Sequence, residues 1–530
     1  MSPVELYDTT LRDGTQREGI ALSVHDKLRV ARAIDELGVG YLEGGWPGAN
    51  PKDTEFFAAA RQGDLALERA TLTAFGMTRR PRGEAAADPQ LAALLEAGTE
   101  VVCLVGKSHV RHVTEAIGTS LEENLAMIAD SVALLRGEGR RVLFDAEHFF
   151  DGHELDPAYA VAVLEAAADA GAETVVLCDT NGGMLPHWVH ATTTKVVDHL
   201  ADRDVRVGVH MHDDTGCAVA NSLTGLQAGA THVQGTLNGV GERCGNADLG
   251  TVAADLALKL GLDVLDEQAL ARLTPTAHAV AEIMNLNPDA HAPYVGHAAF
   301  AHKAGLHASA MAKDPMLYQH VDPERVGNGT RLLVSELAGR ANVRLKGAEL
   351  GVDLDQDPGA AERVLERVKR LEQDGYTFEA ADASLELLLR EEVGETSERF
   401  VVESLRVIVD RGDEDGTRAE ATVRVWVDGD RQIGTGEGNG PVDALDQAFR
   451  AAVNGALPAL DRISLVDYKV RILDDGAGTG ATTRVLITST DGEGDWETIG
   501  VSPNIIEASW KAMADAYRYG LRRAARRQDD

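Results

Sequence analysis

Two stretches decide how this chain is read. One is Tyr7-Asp8-Thr9-Thr10-Leu11-Arg12-Asp13-Gly14-Thr15-Gln16-Arg17-Glu18-Gly19; the other, far along the chain, is Val209-His210-Met211-His212-Asp213-Asp214. Each places acidic, basic or imidazole side chains at or just past the end of a short apolar, β-branched run, the pattern of a strand that delivers polar residues to one edge. Eight such runs occur: Val4–Tyr7, Tyr41–Glu43, Thr71–Phe75, Val101–Val105, Val142–Asp145, Thr174–Cys178, Val205–Met211 and His232–Leu237. Helix-like segments lie between them, among them Asp26–Leu37, Leu121–Leu135, Ala158–Ala170 and Ala218–Ala228. Gly38, Gly98, Gly171 and Gly229 stand where left-handed helix caps are expected. Eight strand–helix units over residues 1–275 predict an α/β fold of the (β/α)8 barrel type. An open doubly wound sheet is the alternative, but no GxGxxG follows the first run.

The polar residues fall where a barrel would gather them. Arg12 and Asp13 follow strand one, Glu43 ends strand two, Glu147 follows strand five and Asp179-Thr180-Asn181 follows strand six. His210 and His212 end strand seven, and Gly239-Val240-Gly241-Glu242-Arg243-Cys244-Gly245-Asn246 follows strand eight. Barrel chemistry sits at the C-terminal ends of the strands, so these distant residues are expected to converge on one mouth. In His210-x-His212 both imidazoles share one strand face, because side chains alternate with period two. With Asp13 they make a nitrogen and oxygen donor set that suits Mn, Zn or a Mg-like ion. Arg12 adds a forked donor that could stabilise an enolate or alkoxide beside the cation. Glu43 and Glu147 read as supports for such a site or as substrate contacts. Thr180 and Asn181 read as hydrogen-bonding partners for a substrate carboxylate, or simply as a turn.

Composition limits the function. The chain has 530 residues and a formal net charge of −34, which argues against a nucleic-acid partner. No apolar run reaches the length of a membrane span, and no basic region or apolar signal core opens the chain, so a cytoplasmic location is expected. Cys103, Cys178, Cys217 and Cys244 form no CxxC pair and are expected to be free thiols. Residues 276–395 read as a mostly helical linker region, with a Gly-containing break near Ala304–His307. From 396 to 530 the pattern is strand, strand, helix, twice: Glu420–Val427, Asp428-Gly429, Gly436 and Val442–Val453, then Thr483–Thr488, Asp491-Gly492, Gly500 and Ile505–Tyr517. The equal spacing from Gly436 to Ala444 and from Gly500 to Ala508 predicts a duplicated α+β domain.

Taken together, Asp8–Gly14 (DTTLRDG), His210–Asp213 (HMHD), Gly239–Asn246 (GVGERCGN) and Gly305–His307 resemble the metal-dependent acyltransferase branch of the DRE-TIM metallolyase superfamily. That branch includes isopropylmalate, homocitrate and citramalate synthases, and the resemblance covers essentially the full chain. Within the branch, EGGWPGANP at Glu43–Pro51, FDAEHFFDG at Phe144–Gly152 and Asp179-Thr180-Asn181-Gly182-Gly183 are similar to the citramalate-forming type.

The resemblance implies condensation of acetyl-CoA with pyruvate, release of CoA, and a place in isoleucine biosynthesis. The alternative is a larger 2-ketoacid, as in 2-isopropylmalate synthases; Phe75 and Leu104, at strand ends, are candidates for lining that pocket. It implies a divalent metal ion (Mg, Mn or Zn) on Asp13, His210, His212 and Asn246. It implies catalytic roles for Arg12, Glu147, His307 and Tyr318, and substrate contacts from Arg12, Gln16, Glu43 and Thr180. His307 matches the base for the acetyl methyl group; it and Tyr318 match residues that reach a neighbouring subunit's site, so a homodimer is implied. The C-terminal domain resembles an amino-acid-sensing regulatory module, with isoleucine as the expected effector. One departure is Ser309, where relatives often carry an acidic residue, so the orientation of His307 is expected to come from elsewhere.

Overall fold

The structure, a computed structural model, describes residues 4–529 except 304, 312, 336–338, 358, 396–398, 413–415 and 474–477. The eight expected strands are β1 (Glu5–Asp8), β2 (Tyr41–Gly45), β3 (Thr71–Met77), β4 (Val101–Lys107), β5 (Arg141–Glu147), β6 (Thr174–Asp179), β7 (Arg206–Met211) and β8 (His232–Gly235). They pair in parallel in sequence order, and β8 returns to β1 with His232 opposite Glu5, closing the barrel. Strands buried on both faces need no polar alternation; every residue of Thr174–Asp179 is buried.

The helices between the strands start and stop on local signals. Ser23 caps Val24–Leu37 through a reciprocal pair with Asp26, and Gly38 ends that helix at φ 93°. Pro51, Pro89, Pro157 and Pro186 open four others, where a missing N–H costs nothing. Side chains on the outer face of the strands pack against these helices. Those on the inner face form a separate cluster of Tyr7, Tyr41, Phe75, Val101, Cys103 and Leu143. Leu104, expected beside Phe75 in the mouth, packs in the strand–helix layer instead, because neighbours along a strand face opposite ways.

The chain divides into two compact units, residues 1–300 with 321–329, and residues 301–320 with 330–530. In the second unit β9 (Ala301–His302) pairs in parallel with β10 (Arg331–Leu332). Gly305–Met311, Arg340–Glu349, Ala360–Gln373 and Asp382–Glu392 are helical, so a helix occupies the segment where a break was expected. Then come β11 (Phe400–Gly412), β12 (Gly416–Val427) and β13 (Asp430–Gly438) with the helix Pro441–Val453. They are followed by β14 (Ser464–Ile472), β15 (Thr483–Thr490) and β16 (Asp495–Ser502) with the helix Ile505–Asp529. The duplication is present, and each half gains a strand that the sequence pattern did not show, β11 and β14.

The reason is visible in β14, where no residue is fully buried and Leu465, Val466, Val470 and Ile472 are exposed, so no inward–outward alternation marks it. Gly436 and Gly500 do matching work: a Cβ on Gly436 would meet Ala448 N at 2.4 Å, and one on Gly500 would meet Ala508 O at 2.0 Å. Each lets its third strand run directly against the helix of its half. Phe449 locks the halves into one core, 4.8 Å from the Phe400 ring and stacked on Tyr517 at 5.0 Å. All four cysteines are free, and among the described residues no helix is long and apolar enough to cross a membrane.

Candidate metal centre and active site

The loop after β1 and the end of β7 meet at the barrel mouth. Asp13 Oδ2 lies 3.2 Å from His210 Nε2 and 3.8 Å from His212 Nε2, and the two Nε2 atoms are 3.3 Å apart. All three residues are buried, and one ligand atom from each falls within 4.8 Å of the others. Asn246, carried by the loop after β8, joins them: its Nδ2 is 3.1 Å from Asp13 Oδ2 and 3.1 Å from His210 Nε2. A backbone bridge pairs it with His212. Its Oδ1 is buried without a hydrogen-bond partner, and a half-turn of the amide presents that oxygen to the same point.

Two imidazole nitrogens and a carboxylate oxygen facing one point, with the Asn246 oxygen joining them on that half-turn, form a donor set for a divalent cation. The electrostatics agree. Burial opposes ionisation of Asp13, yet Arg12 and the two imidazoles outweigh it and hold the carboxyl well below its ordinary range. Burial, then the neighbouring His210, lowers His212 to about 4, leaving a neutral ring able to act as a ligand.

Arg12 is fixed from three sides. Its Nε donates to Glu43 Oε1 at 2.5 Å, one terminal nitrogen lies 3.4 Å from Asp13 Oδ2, and its guanidinium carbon stands 3.9 Å from the Phe75 ring centroid. Glu43, completely buried at the end of β2, also accepts from the Tyr7 hydroxyl at 2.5 Å and from Thr9 Oγ1 at 2.7 Å. These bonds tie Glu43 to Arg12, Tyr7 and Thr9. Tyr7 and Thr9 were not singled out in the sequence, although both lie inside the first decisive stretch.

The other expected residues are placed as follows. Glu147 closes β5 and pairs with Lys107 from the end of β4. Thr180 Oγ1 accepts from the His148 backbone N–H at 2.8 Å, tying the loop after β6 to the turn after β5, where His148 has φ 58°. Asn181 donates to Asp151 at 2.6 Å. Gln16 is exposed on the short helical turn Gly14–Gln16. His307 and Tyr318 belong to the second unit, where their rings stack at 4.1 Å; Tyr318 and the neighbouring Leu306 are exposed. The side chain of Ser309 lies outside the described residues.

Two residues behind the cluster were not among the candidate site residues. Gln234 Oε1 accepts from His210 Nδ1 at 2.8 Å, and Gln234 Nε2 donates to Asp145 Oδ1 at 2.9 Å. Both are polar residues buried within strands.

Fold and site together define a (β/α)8 barrel enzyme with a candidate metal centre at its mouth. The chain belongs to the HMGL-like family, whose model matches residues 3–280. A homocitrate synthase post-HMGL domain-like model matches residues 294–375, and the LeuA allosteric (dimerisation) domain matches 379–521. The chain is 57% identical to the (R)-citramalate synthase of Streptomyces coelicolor, over 98% of this chain and 97% of that protein. It is 51% identical to the (R)-citramalate synthase of Synechocystis, over 98% and 96%. It is 32% identical to a probable 2-isopropylmalate synthase of Methanopyrus kandleri, over 99% of both.

Proposed function

We propose that this protein is an (R)-citramalate synthase that joins acetyl-CoA to pyruvate and releases CoA, in the service of isoleucine biosynthesis. The observation that carries the chemistry is the buried Asp13–His210–His212 cluster with Arg12 beside it at the barrel mouth. The choice of pyruvate over a larger 2-ketoacid is supported by the relatives: two named (R)-citramalate synthase are 57% and 51% identical, whereas a probable 2-isopropylmalate synthase is 32% identical. We also read the chain as a catalytic barrel at 1–275, a helical linker at 276–395 and a regulatory domain at 396–530. The match to the LeuA allosteric (dimerisation) domain supports a homodimer under allosteric control; isoleucine is the effector this reading assigns. Four free cysteines fit a reducing compartment such as the cytoplasm.

In this reading Asp13, His210, His212 and Asn246 hold a divalent ion (Mg, Mn or Zn), which supplies Lewis acidity toward the ketone of a bound 2-ketoacid. His307, supplied in the homodimer by the neighbouring copy and stacked on Tyr318, takes a proton from the acetyl methyl group. The methyl carbon then bonds to the ketone carbon, and the ketone oxygen gains the negative charge. Arg12, already oriented by Glu43 and Phe75, meets that charge with no reorganisation of its own. Glu147 and Thr180 border the pocket, and Gln16 contacts the substrate from the turn after β1. Hydrolysis of the thioester by water releases CoA and draws the reaction forward.

The test is CoA-thiol release from acetyl-CoA by the metal-loaded protein with pyruvate, with 2-ketoisovalerate and with no ketoacid. Preference for pyruvate is expected. Preference for 2-ketoisovalerate would move the assignment to the isopropylmalate type, and no release with either would send the test to longer 2-ketoacids, then to a lyase or sensor role.

A further inference from the structure

The candidate ligand His210 is held from behind by a chain of two further side chains. Its Nδ1 faces Gln234 Oε1 at 2.8 Å, and Gln234 Nε2 faces Asp145 Oδ1 at 2.9 Å. His210, Gln234 and Asp145 are all buried, at 4%, 0% and 3% exposure, so water cannot stand in for any member. A glutamine amide by itself is ambiguous, because either end can face an imidazole. Asp145 removes the ambiguity. As an ionised carboxylate it only accepts, which favours the Gln234 NH2 facing Asp145 and its carbonyl oxygen facing His210. That oxygen also only accepts, so the His210 proton must reside on Nδ1. The lone pair of His210 is then on Nε2, the atom that faces Asp13 and His212.

The chain spans the barrel interior, from β5 through β8 to β7. It orients the imidazole through an amide rather than a carboxylate, with Nδ1 toward Gln234 and Nε2 toward Asp13 and His212.

We propose that Gln234, oriented by Asp145, is a positioning residue that sets the tautomer of His210 and thereby the metal affinity of the site. This rests on the reading of Asp13, His210 and His212 as metal ligands. Without Asp145 as a pure acceptor, the Gln234 amide can turn over, donate to Nδ1 and move the ring proton to Nε2, where it blocks ligation. Without any polar group at 234, the ring loses both its orientation and its tautomer preference.

The experiment titrates the metal-free full-length protein with Mn2+ and with Zn2+, reading Kd and stoichiometry. It is applied to wild type, Gln234→Leu, Gln234→Glu and Asp145→Asn, with the His210 ring followed by 15N NMR. Wild type is expected to bind one ion with His210 protonated on Nδ1. Gln234→Leu and Asp145→Asn are expected to raise Kd about 10- to 100-fold with stoichiometry retained, and to shift the metal-free ring toward a tautomer mixture. Gln234→Glu keeps an acceptor for Nδ1 and is expected to retain the tautomer; it also serves if Gln234→Leu does not fold. Wild-type Kd and an unchanged His210 tautomer in both Gln234→Leu and Asp145→Asn would overturn the inference. A wild-type protein that binds neither ion would overturn the metal reading itself, which separates the two failures.

Discussion

The guanidinium carbon of Arg12 stands 3.9 Å above the Phe75 ring, and Arg12 Nε is bound at 2.5 Å to Glu43. The planar group is therefore clamped between an aromatic face and a buried carboxylate, with one terminal nitrogen 3.4 Å from Asp13 Oδ2. A lysine would keep the charge but not the fork or the stacking plane. Arg12→Lys is expected to lower kcat by about 10²–10³-fold, the cost of one misplaced oxyanion donor, while bound metal stays stoichiometric. Steady-state kinetics with pyruvate, alongside metal analysis, checks both halves of the statement.

His212 contributes one of the three atoms of the candidate metal cluster and has no replacement nearby among the described residues. His212→Ala should purify with little metal and show no turnover. The wild type, stripped by a chelator, should lose activity and recover it on return of Mg2+, Mn2+ or Zn2+. A His212→Ala protein with full metal content and normal rate would remove His212 from the ligand set.

Gly241 is placed so that a Cβ would lie 1.9 Å from Asn246 Oδ1. No side chain fits there unless Asn246 moves. Gly241→Ala is therefore expected to displace the Asn246 amide by the order of an ångström and to cost about 10²-fold in kcat. Because the contact lies in a loop at the mouth rather than in the core, the thermal midpoint should change little; calorimetry and kinetics on the same sample test this.

At the opposite end of the barrel, Glu5 pairs with Arg206 and lies 3.5 Å from His232 Nδ1. Burial opposes its charge, yet His232 and Arg206 prevail and lower it from 4.5 to about 2. A carboxyl depressed in the folded state contributes stability that is full above its unfolded value and is lost as pH falls through the folded one. Wild type should thus lose this contribution between about pH 4.5 and 2. Glu5→Gln should be less stable near neutrality and converge on wild type in acid. Urea unfolding across that range, with equal curves at pH 7 as the contrary outcome, decides it.

Much of the site was legible because its residues carry unusual chemistry at strand ends. His210 and His212 share a strand face by the period-two rule, and Arg12-Asp13 directly follows β1; the structure brings all four together. Glu43 was legible as a charged residue ending a strand, but not that Arg12, Tyr7 and Thr9 would converge on it. The link from Asp145 through Gln234 to His210 was not legible, since a polar residue inside an otherwise apolar strand has no partner that one sequence can name. Strand β14 was missed for a related reason: Leu465, Val466, Val470 and Ile472 stay exposed, so no buried apolar face marks it.

What the amino-acid sequence determined by itself is local: eight apolar runs spaced by helices, caps at helix ends, the His-x-His parity and the repeated Gly-to-Ala spacing. Each follows from backbone geometry and hydrophobic periodicity within a short window. Only the tertiary structure decided which distant residues meet. Closing β8 onto β1 carries Asn246 to Asp13, 233 positions apart in the chain. It also brings Asp145, Gln234 and His210 from three strands into one hydrogen-bonded line. Those meetings depend on barrel closure and register, which are set by the packing of all eight strands at once and are written in no single segment.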